Sequence, residues 1–271
     1  MNSELSALVR IARSAAKVVM EVYAQPFDVD YKAPHDPVTE ADRRANALIV
    51  EQLTRDFPGV PIVAEESDPK TFIDFRNSDR IFFVDPVDGT REFIDRNGEF
   101  AVMIGLVEGG RAVASVIDAP ARGDLFAAWV GEGACLVREG GQPQAVQVSA
   151  IADIRQGRIV GSRSHRSAKL EAALARLAPR EVLVMGSAGL KGTLVASAQV
   201  EAYVAPGYAG KRWDACAADA LVTAAGGVFT DTFGDAIDYR AASISNDRGL
   251  LASNGHVHQA LLDGLVELRG D

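Results

Sequence analysis

Cysteine is scarce in this chain: two of 271 residues, Cys135 and Cys216. That is too few for a disulfide framework, and the pair shares no short metal-binding spacing. Both are expected as buried free thiols in a reducing compartment. Basic charge is short as well, with 28 Lys and Arg against 37 Asp and Glu, a net charge of −9 and a pI near 5.0. Such a balance argues against the broad basic surface that a nucleic-acid polymer requires. It still admits a small phosphorylated ligand, because a local divalent cation inverts the sign of a site. Long apolar runs are missing too. No stretch approaches the roughly 18 apolar residues of a membrane span. At the N-terminus, Leu5, Leu8, Ala12, Ala15, Val19 and Val22 recur at helical spacing between Glu4, Arg10, Arg13 and Lys17. Those charges leave no room for a signal peptide, and Ser3 and Pro26 read as the N-cap and the stop of an amphipathic helix. A cytoplasmic location is expected, with peripheral attachment at the inner membrane left open.

What the chain does have is 48% hydrophobic and 24% charged residues, enough to bury a large core. At about 150 residues per domain, its length fits one large domain or two tightly joined ones. A second helix is expected over 39–56, followed by strands over 60–64 and 81–84. A hairpin over 101–107 and 112–117 is joined through Glu108-Gly109-Gly110, and further strands cover 125–130 and 145–148. This first part reads as α+β with a largely antiparallel sheet. Beyond residue 150, strand patterns at 158–161, 182–185, 202–204, 228–230 and 250–252 alternate with helical ones at 167–178, 189–198, 214–225 and 257–268, an α/β rhythm. The expected organisation is therefore an N-terminal α+β subdomain, 1–150, and a C-terminal α/β subdomain, 151–271.

The richest segment is Val84-Asp85-Pro86-Val87-Asp88-Gly89-Thr90. A strand delivers Asp85, and Pro86 is expected to stop that strand from continuing as a central ladder member. Asp88 lies three residues on, where a turn points both carboxylates at one place. Gly89 permits a positive-φ backbone, and Thr90 offers a hydroxyl and an amide at a helix start. Two carboxylates, the Val87 carbonyl and phosphate-facing amides make a hard oxygen set suited to Mg²⁺ rather than Zn²⁺. An ordinary acidic β-turn whose Asp side chains cap following amides fits the spacing equally well. Other acids sit at element ends in the same way. Glu65-Glu66-Ser67 follows a strand, Thr39-Glu40-Ala41-Asp42 opens a helix where acids suit the helix dipole, and Trp213-Asp214 begins an Ala-rich helix. Solvated loops and helix caps explain each of these taken singly.

Taken together, the segments resemble the inositol monophosphatase superfamily of Mg²⁺-dependent, lithium-sensitive sugar and nucleotide phosphatases. The resemblance rests on Pro37-Val38-Thr39-Glu40-Ala41-Asp42, Glu65-Glu66-Ser67, Asp85 to Thr90, and Trp213-Asp214-Ala215-Cys216-Ala217-Ala218 with Ala224-Ala225-Gly226-Gly227. Within it the chain is most similar to the CysQ-type 3′(2′),5′-bisphosphate nucleotidases, through Arg91 to Phe100, Ser162-Arg163-Ser164-His165 and Gly186 to Lys191. One departure stands out: Ala188-Gly189 interrupts the more usual Ser-Leu-Lys run.

The resemblance implies a layered α-β-α-β-α sandwich of the sugar-phosphatase type binding two or three Mg²⁺ ions. It implies metal ligands at Glu65, Asp85, Asp88, Asp214 and the Val87 carbonyl, with Asp42 and Thr90 as the catalytic pair that orients water. Gly89 and Thr90 would hold phosphate. His165, Ser187, Lys191 and Arg212 are the candidate contacts to the rest of the substrate; a loop histidine, a snorkelling lysine and a surface ion pair are the plainer readings of three of them. His256 and His258 are expected to be solvated. The implied reaction is hydrolysis of adenosine 3′,5′-bisphosphate (PAP) to AMP and phosphate, with the sulfated relative PAPS as a further substrate. Inositol or sugar monophosphate hydrolysis is the nearest rival. A non-catalytic ligand-binding module would be expected to lack a metal carboxylate, and glycoside hydrolysis by two carboxylates leaves the Asp-Gly-Thr turn unexplained. The enzyme is expected as a monomer or homodimer. Its four carboxylates would repel one another without cations, so partial protonation or local disorder of the metal-free site is expected.

Overall fold

The computed structural model describes residues 1–34, 36–72, 75–163 and 168–266. Helix α1 (Ser3–Tyr23) is followed by a two-stranded antiparallel hairpin, β1 (Val29–Ala33) and β2 (Asp36–Thr39), and by α2 (Glu40–Asp56). A seven-stranded sheet comes next: β3 (Ile62–Ala64), β4 (Arg80–Asp88), β5 (Ala101–Glu108), β6 (Arg111–Ala119), β7 (Asp124–Trp129), β8 (Gly133–Arg138) and β9 (Gln144–Val146), in that spatial order. Short α3 (Thr90–Ile94) interrupts it after β4. The β3–β4 pair is parallel and the other pairs are antiparallel.

The second half runs β10 (Arg158–Ser162), α4 (Ala168–Leu177), β11 (Glu181–Met185), α5 (Ala188–Ala196), β12 (Ala202–Ala205), α6 (Arg212–Ala224), β13 (Val228–Thr230), β14 (Leu250–Ser253) and α7 (His258–Gly264). Its sheet has the order β11-β10-β12-β14-β13, with β10, β11 and β12 parallel. The expected division near residue 150 falls in the segment between β9 and β10.

Strand β4 shows how the layers form. Its side chains alternate faces, so Phe82 and Val84 pack with Leu8, Ile11, Ile49 and Leu53 of α1 and α2. Ile81 and Phe83 pack on the other side with Cys216 and Leu221 of α6. Helices α5 and α6 are thus shared between the sheets, since Leu190, Leu194, Val160, Tyr203 and Leu250 belong to the same core. Beyond the small sheet, Ile159, Val204 and Leu251 meet Leu170 and Leu174 of α4 and Leu261 of α7. The result is the expected α-β-α-β-α sandwich. No described helix is long and apolar enough to cross a membrane.

Several expectations need correction. The N-cap of α1 is Asn2, whose side chain accepts from Leu5 N at 2.8 Å, rather than Ser3. Strand β4 runs through Pro86 to Asp88, because the register slips between Asp85 and Asp88 and this bulge removes the need for an amide at Pro86. Strand β8 and the β1–β2 hairpin carry little apolar alternation and were not anticipated. Cys216 is buried, but Cys135 is only half-buried. His258 is buried between Ser253 Oγ at 2.9 Å and Thr230 Oγ1 at 3.1 Å, because the turn into α7 folds it back onto β13 and β14.

Candidate active site

A cleft of about 590 Å³ opens between the two halves. Parallel strands collect functional groups at their C-terminal ends, and β3 ends beside the middle of β4: Glu65 N donates to Val84 O at 3.1 Å. Glu65, just past β3, and Asp85, still paired within β4, therefore stand next to each other. Asp85 Oδ1 accepts from Val87 N at 3.0 Å, which shapes the bulge. Asp88 then meets the start of α5: Ser187 Oγ donates to its Oδ2 at 2.5 Å, Ala188 N to Oδ1 at 3.1 Å and Gly189 N to Oδ2 at 2.7 Å. Asp214, third residue of α6, accepts from Lys211 N at 2.5 Å. Gly210 has a φ of +75°, and a side chain there would overlap the Asp214 carboxylate.

Residues 85, 88 and 214 are thus far apart in the chain, yet one carboxylate oxygen from each lies within 4.8 Å of the others, close enough to hold a metal ion. Burial pushes Asp85 well above the usual carboxylate range, and Glu65, Asp88 and Asp214 push it further. Asp214 is raised by the same means, burial first and then Asp88 and Glu65. Glu65 is pushed up to about 7 by burial, against the pull of Lys32. Crowded, desolvated carboxylates are the environment that favours a hard divalent ion with oxygen ligands. On the outer side, Lys32 of the β1–β2 hairpin donates to Glu65 at 2.9 Å and to Glu66 at 2.7 Å.

A second group sits beside the acids. Thr39 and Asp42 form a capping box at the start of α2, with Asp42 Oδ2 accepting from Thr39 N at 2.8 Å and Thr39 Oγ1 at 2.6 Å. The other oxygen, Oδ1, is 3.0 Å from Thr90 Oγ1, which also lies 3.2 Å from Val87 O. Burial raises the Asp42 carboxyl, while the bonds from Thr39 and Thr90 pull it down. Gly89 caps α3 with a φ of +96°, and a Cβ there would stand 2.7 Å from Glu99 O. Only glycine meets both conditions without strain.

Of the residues anticipated from sequence, Glu65, Asp88, Gly89, Thr90, Ser187, Lys191 and Asp214 line the cleft, and Asp42, Asp85 and Val87 stand directly behind them. Lys191 does not snorkel. It is 4% exposed, with Nζ 3.3 Å from Gly186 O, 3.5 Å from Met185 O and 5.1 Å from the Tyr203 ring centroid. Arg212 is a correction: it lines a separate hollow, where its guanidinium bonds Asp238 O at 3.1 Å and Asn246 Oδ1. The first turn of α6 points residue 212 away from residue 214, since positions two apart face different sides of a helix. His165 lies outside the described residues.

Sequence reasoning missed Lys32, Glu92, Tyr208 and Lys211, all of which line the cleft. Glu92 is buried against Gly186, and burial followed by Asp88 raises its carboxyl. An acid inside the Arg91–Phe100 segment was a signal for Glu92. Isolated surface residues gave none for the others.

The sequence profile of the inositol monophosphatase family matches residues 1–269. The chain belongs to that family. Among curated relatives, the 3′(2′),5′-bisphosphate nucleotidase CysQ of Escherichia coli K12 is 37% identical over 237 residues, covering 87% of this chain and 93% of its own. The Haemophilus influenzae protein of the same name is 31% identical over 235 residues, 87% of each chain. Among solved structures, the extragenic suppressor protein suhB of Bartonella henselae superposes with a TM-score of 0.84 at 27% identity, over 97% of this chain and 98% of that one. CysQ from Bacteroides thetaiotaomicron gives 0.77 at 27% identity, over 93% and 97%. Family membership and the nucleotidase relatives support phosphatase activity for this inositol monophosphatase family member, and its acidic cluster could hold a metal ion.

Proposed function

We propose that this phosphatase removes the 3′-phosphate of adenosine 3′,5′-bisphosphate, adding water to give AMP and inorganic phosphate, with Mg²⁺ as its metal. The observation that carries this reading is the convergence of Asp85, Asp88 and Asp214 oxygens beside the Asp42–Thr90 pair. Carboxylates and a carbonyl are hard donors that suit Mg²⁺, so Asp85, Asp88, Asp214, Glu65 and the Val87 carbonyl are the residues that would hold two or three ions. When bound, Mg²⁺ acidifies a water and neutralises charge on the phosphoryl group and the leaving oxygen.

The chain's own groups do the rest. Thr39 clamps one oxygen of Asp42, so the other stays aimed at Thr90. The Thr90 hydroxyl gives its hydrogen to Asp42 and keeps lone pairs free to accept a proton from the attacking water. As that water attacks phosphorus, its proton passes to Thr90 Oγ1 and the Thr90 proton passes to Asp42. No Ser or Cys nucleophile is needed. Gly89 and Thr90 supply amides to phosphate oxygens where α3 begins. Lys191, on the cleft floor beneath Tyr203, supplies positive charge for the second phosphate.

The Arg91–Phe100 segment and the names of the 37%-identical relatives support a nucleotide over an inositol phosphate. PAPS shares the 3′-phosphate and is a second substrate on this reading. The test is kcat/KM in Mg²⁺ for adenosine 3′,5′-bisphosphate against inositol 1-phosphate. A preference of at least about tenfold for the nucleotide, roughly 1.4 kcal/mol, is expected; equal or reversed values would overturn the assignment.

A further inference from the structure

We infer that Tyr208 is the platform on which the substrate's base stacks, an assignment that rests on the nucleotide reading above. Three aromatic side chains line the cleft among the described residues. Tyr203 and Trp213 are 3% and 9% exposed and belong to the core, whereas Tyr208 is 57% exposed. A large ring held at the rim of a substrate cleft offers a π-face that any base can cover.

The loop that carries Tyr208, between β12 and α6, is pinned rather than loose. Asn246, only 2% exposed, donates from Nδ2 to Ala209 O at 3.1 Å and to Lys211 O at 2.5 Å. Its backbone adds Ala209 N to Asn246 O at 3.0 Å and Asn246 N to Gly210 O at 2.8 Å. Lys211 Nζ donates to Ser245 Oγ at 2.9 Å and sits 5.7 Å from the centre of the Tyr208 ring, over one face. The ring is thus steadied from one side and presents the other. A platform already ordered costs little entropy on binding.

Position agrees with this role. Gly210, two residues from Tyr208, abuts the Asp214 carboxylate. Two residues of chain span at most about 7 Å, so the backbone at Tyr208 stays near the glycine that touches the acids, and the ring lines the same cleft as Asp88 and Asp214. Strands β10, β11 and β12 all end toward this side, with Ser162, Gly186 just past β11, and Ala205 lining the cleft, where open parallel sheets receive ligands.

The experiment measures kcat and KM of the wild type, Tyr208→Ala and Tyr208→Phe in Mg²⁺, on adenosine 3′,5′-bisphosphate and on inositol 1-phosphate, which has no base. Expected is a rise in KM of at least about fivefold for the nucleotide in Tyr208→Ala, with kcat within about twofold, no matching rise for inositol phosphate, and recovery in Tyr208→Phe. If the wild type prefers the nucleotide but Tyr208→Ala leaves its KM within about twofold, or raises both KM values equally, the stacking role is overturned and the nucleotide reading stands. If the wild type shows no preference for the nucleotide, both fall together.

Discussion

The crowded acids make the stability of the metal-free protein fall as pH rises, and Mg²⁺ should reverse that fall. Folding holds the Glu65 carboxyl protonated up to about pH 7, against the ordinary value of 4.5. Below the ordinary value the group is protonated in both folded and unfolded chains and contributes nothing. Between the two values the folded protein keeps a proton that the unfolded chain has released, so each pH unit costs about 1.4 kcal/mol. Across the window the cost reaches about 3 kcal/mol from Glu65 alone, and Asp85 and Asp214, also raised, add the same sign. At about 2 °C per kcal/mol for a chain of this size, the Glu65 share is about 6 °C in Tm. Asp118 and Asp219, raised by burial to about 6 and about 7, also act in this direction. Neither belongs to the cluster, so the informative quantity is the difference with and without Mg²⁺. In thermal melts at pH 5 and pH 8, chelated and in saturating Mg²⁺, the metal-induced rise should be several degrees larger at pH 8. Glu65→Gln should shrink that difference. A rise of less than about 1 °C at pH 8, or one equally large at pH 5, would refute the argument.

Two substitutions separate the proposed metal ligand from the cleft floor. Asp88→Asn keeps the shape that α5 packs on but removes a charge from the cluster, so turnover should fall more than about 100-fold, beyond the usual cost of losing a ligand's supporting partner. Its far-UV circular dichroism should stay unchanged, and near-normal rates would remove Asp88 from the site. Lys191→Met conserves volume on the cleft floor and should raise KM for the bisphosphate by about tenfold while changing KM for a monophosphate far less. Equal effects on both would show that Lys191 serves the fold alone.

Much of this site was legible before folding because its acids sit at element boundaries. Thr39 and Asp42 announce a capping box, Gly89 announces a positive φ, and Asp85 ends an apolar run. Those are local rules: the capping box and the positive φ hold in the structure, whereas β4 continues past Asp85 to Asp88. The Lys191 environment was not legible, because a lysine on a helix gives no sign of being pulled beneath a tyrosine by packing from another strand. Arg212 failed for a related reason: sequence adjacency to Asp214 does not mean a shared face. Pro86 misled because a proline breaks a ladder only where an amide is required, and a bulge removes that requirement.

By itself the sequence determined most of the element order and the family, since periodicity, caps and turn residues are written within a few positions of one another. Tertiary structure alone decided that residues 85, 88 and 214 stand within 4.8 Å, and that Tyr208 faces a cleft with Lys211 over its ring. Those arrangements follow from two sheets closing over α5 and α6, and the free energy that closes them is spread through a core drawn from both halves. Local pattern records which face of an element is apolar; it does not record which distant face will cover it.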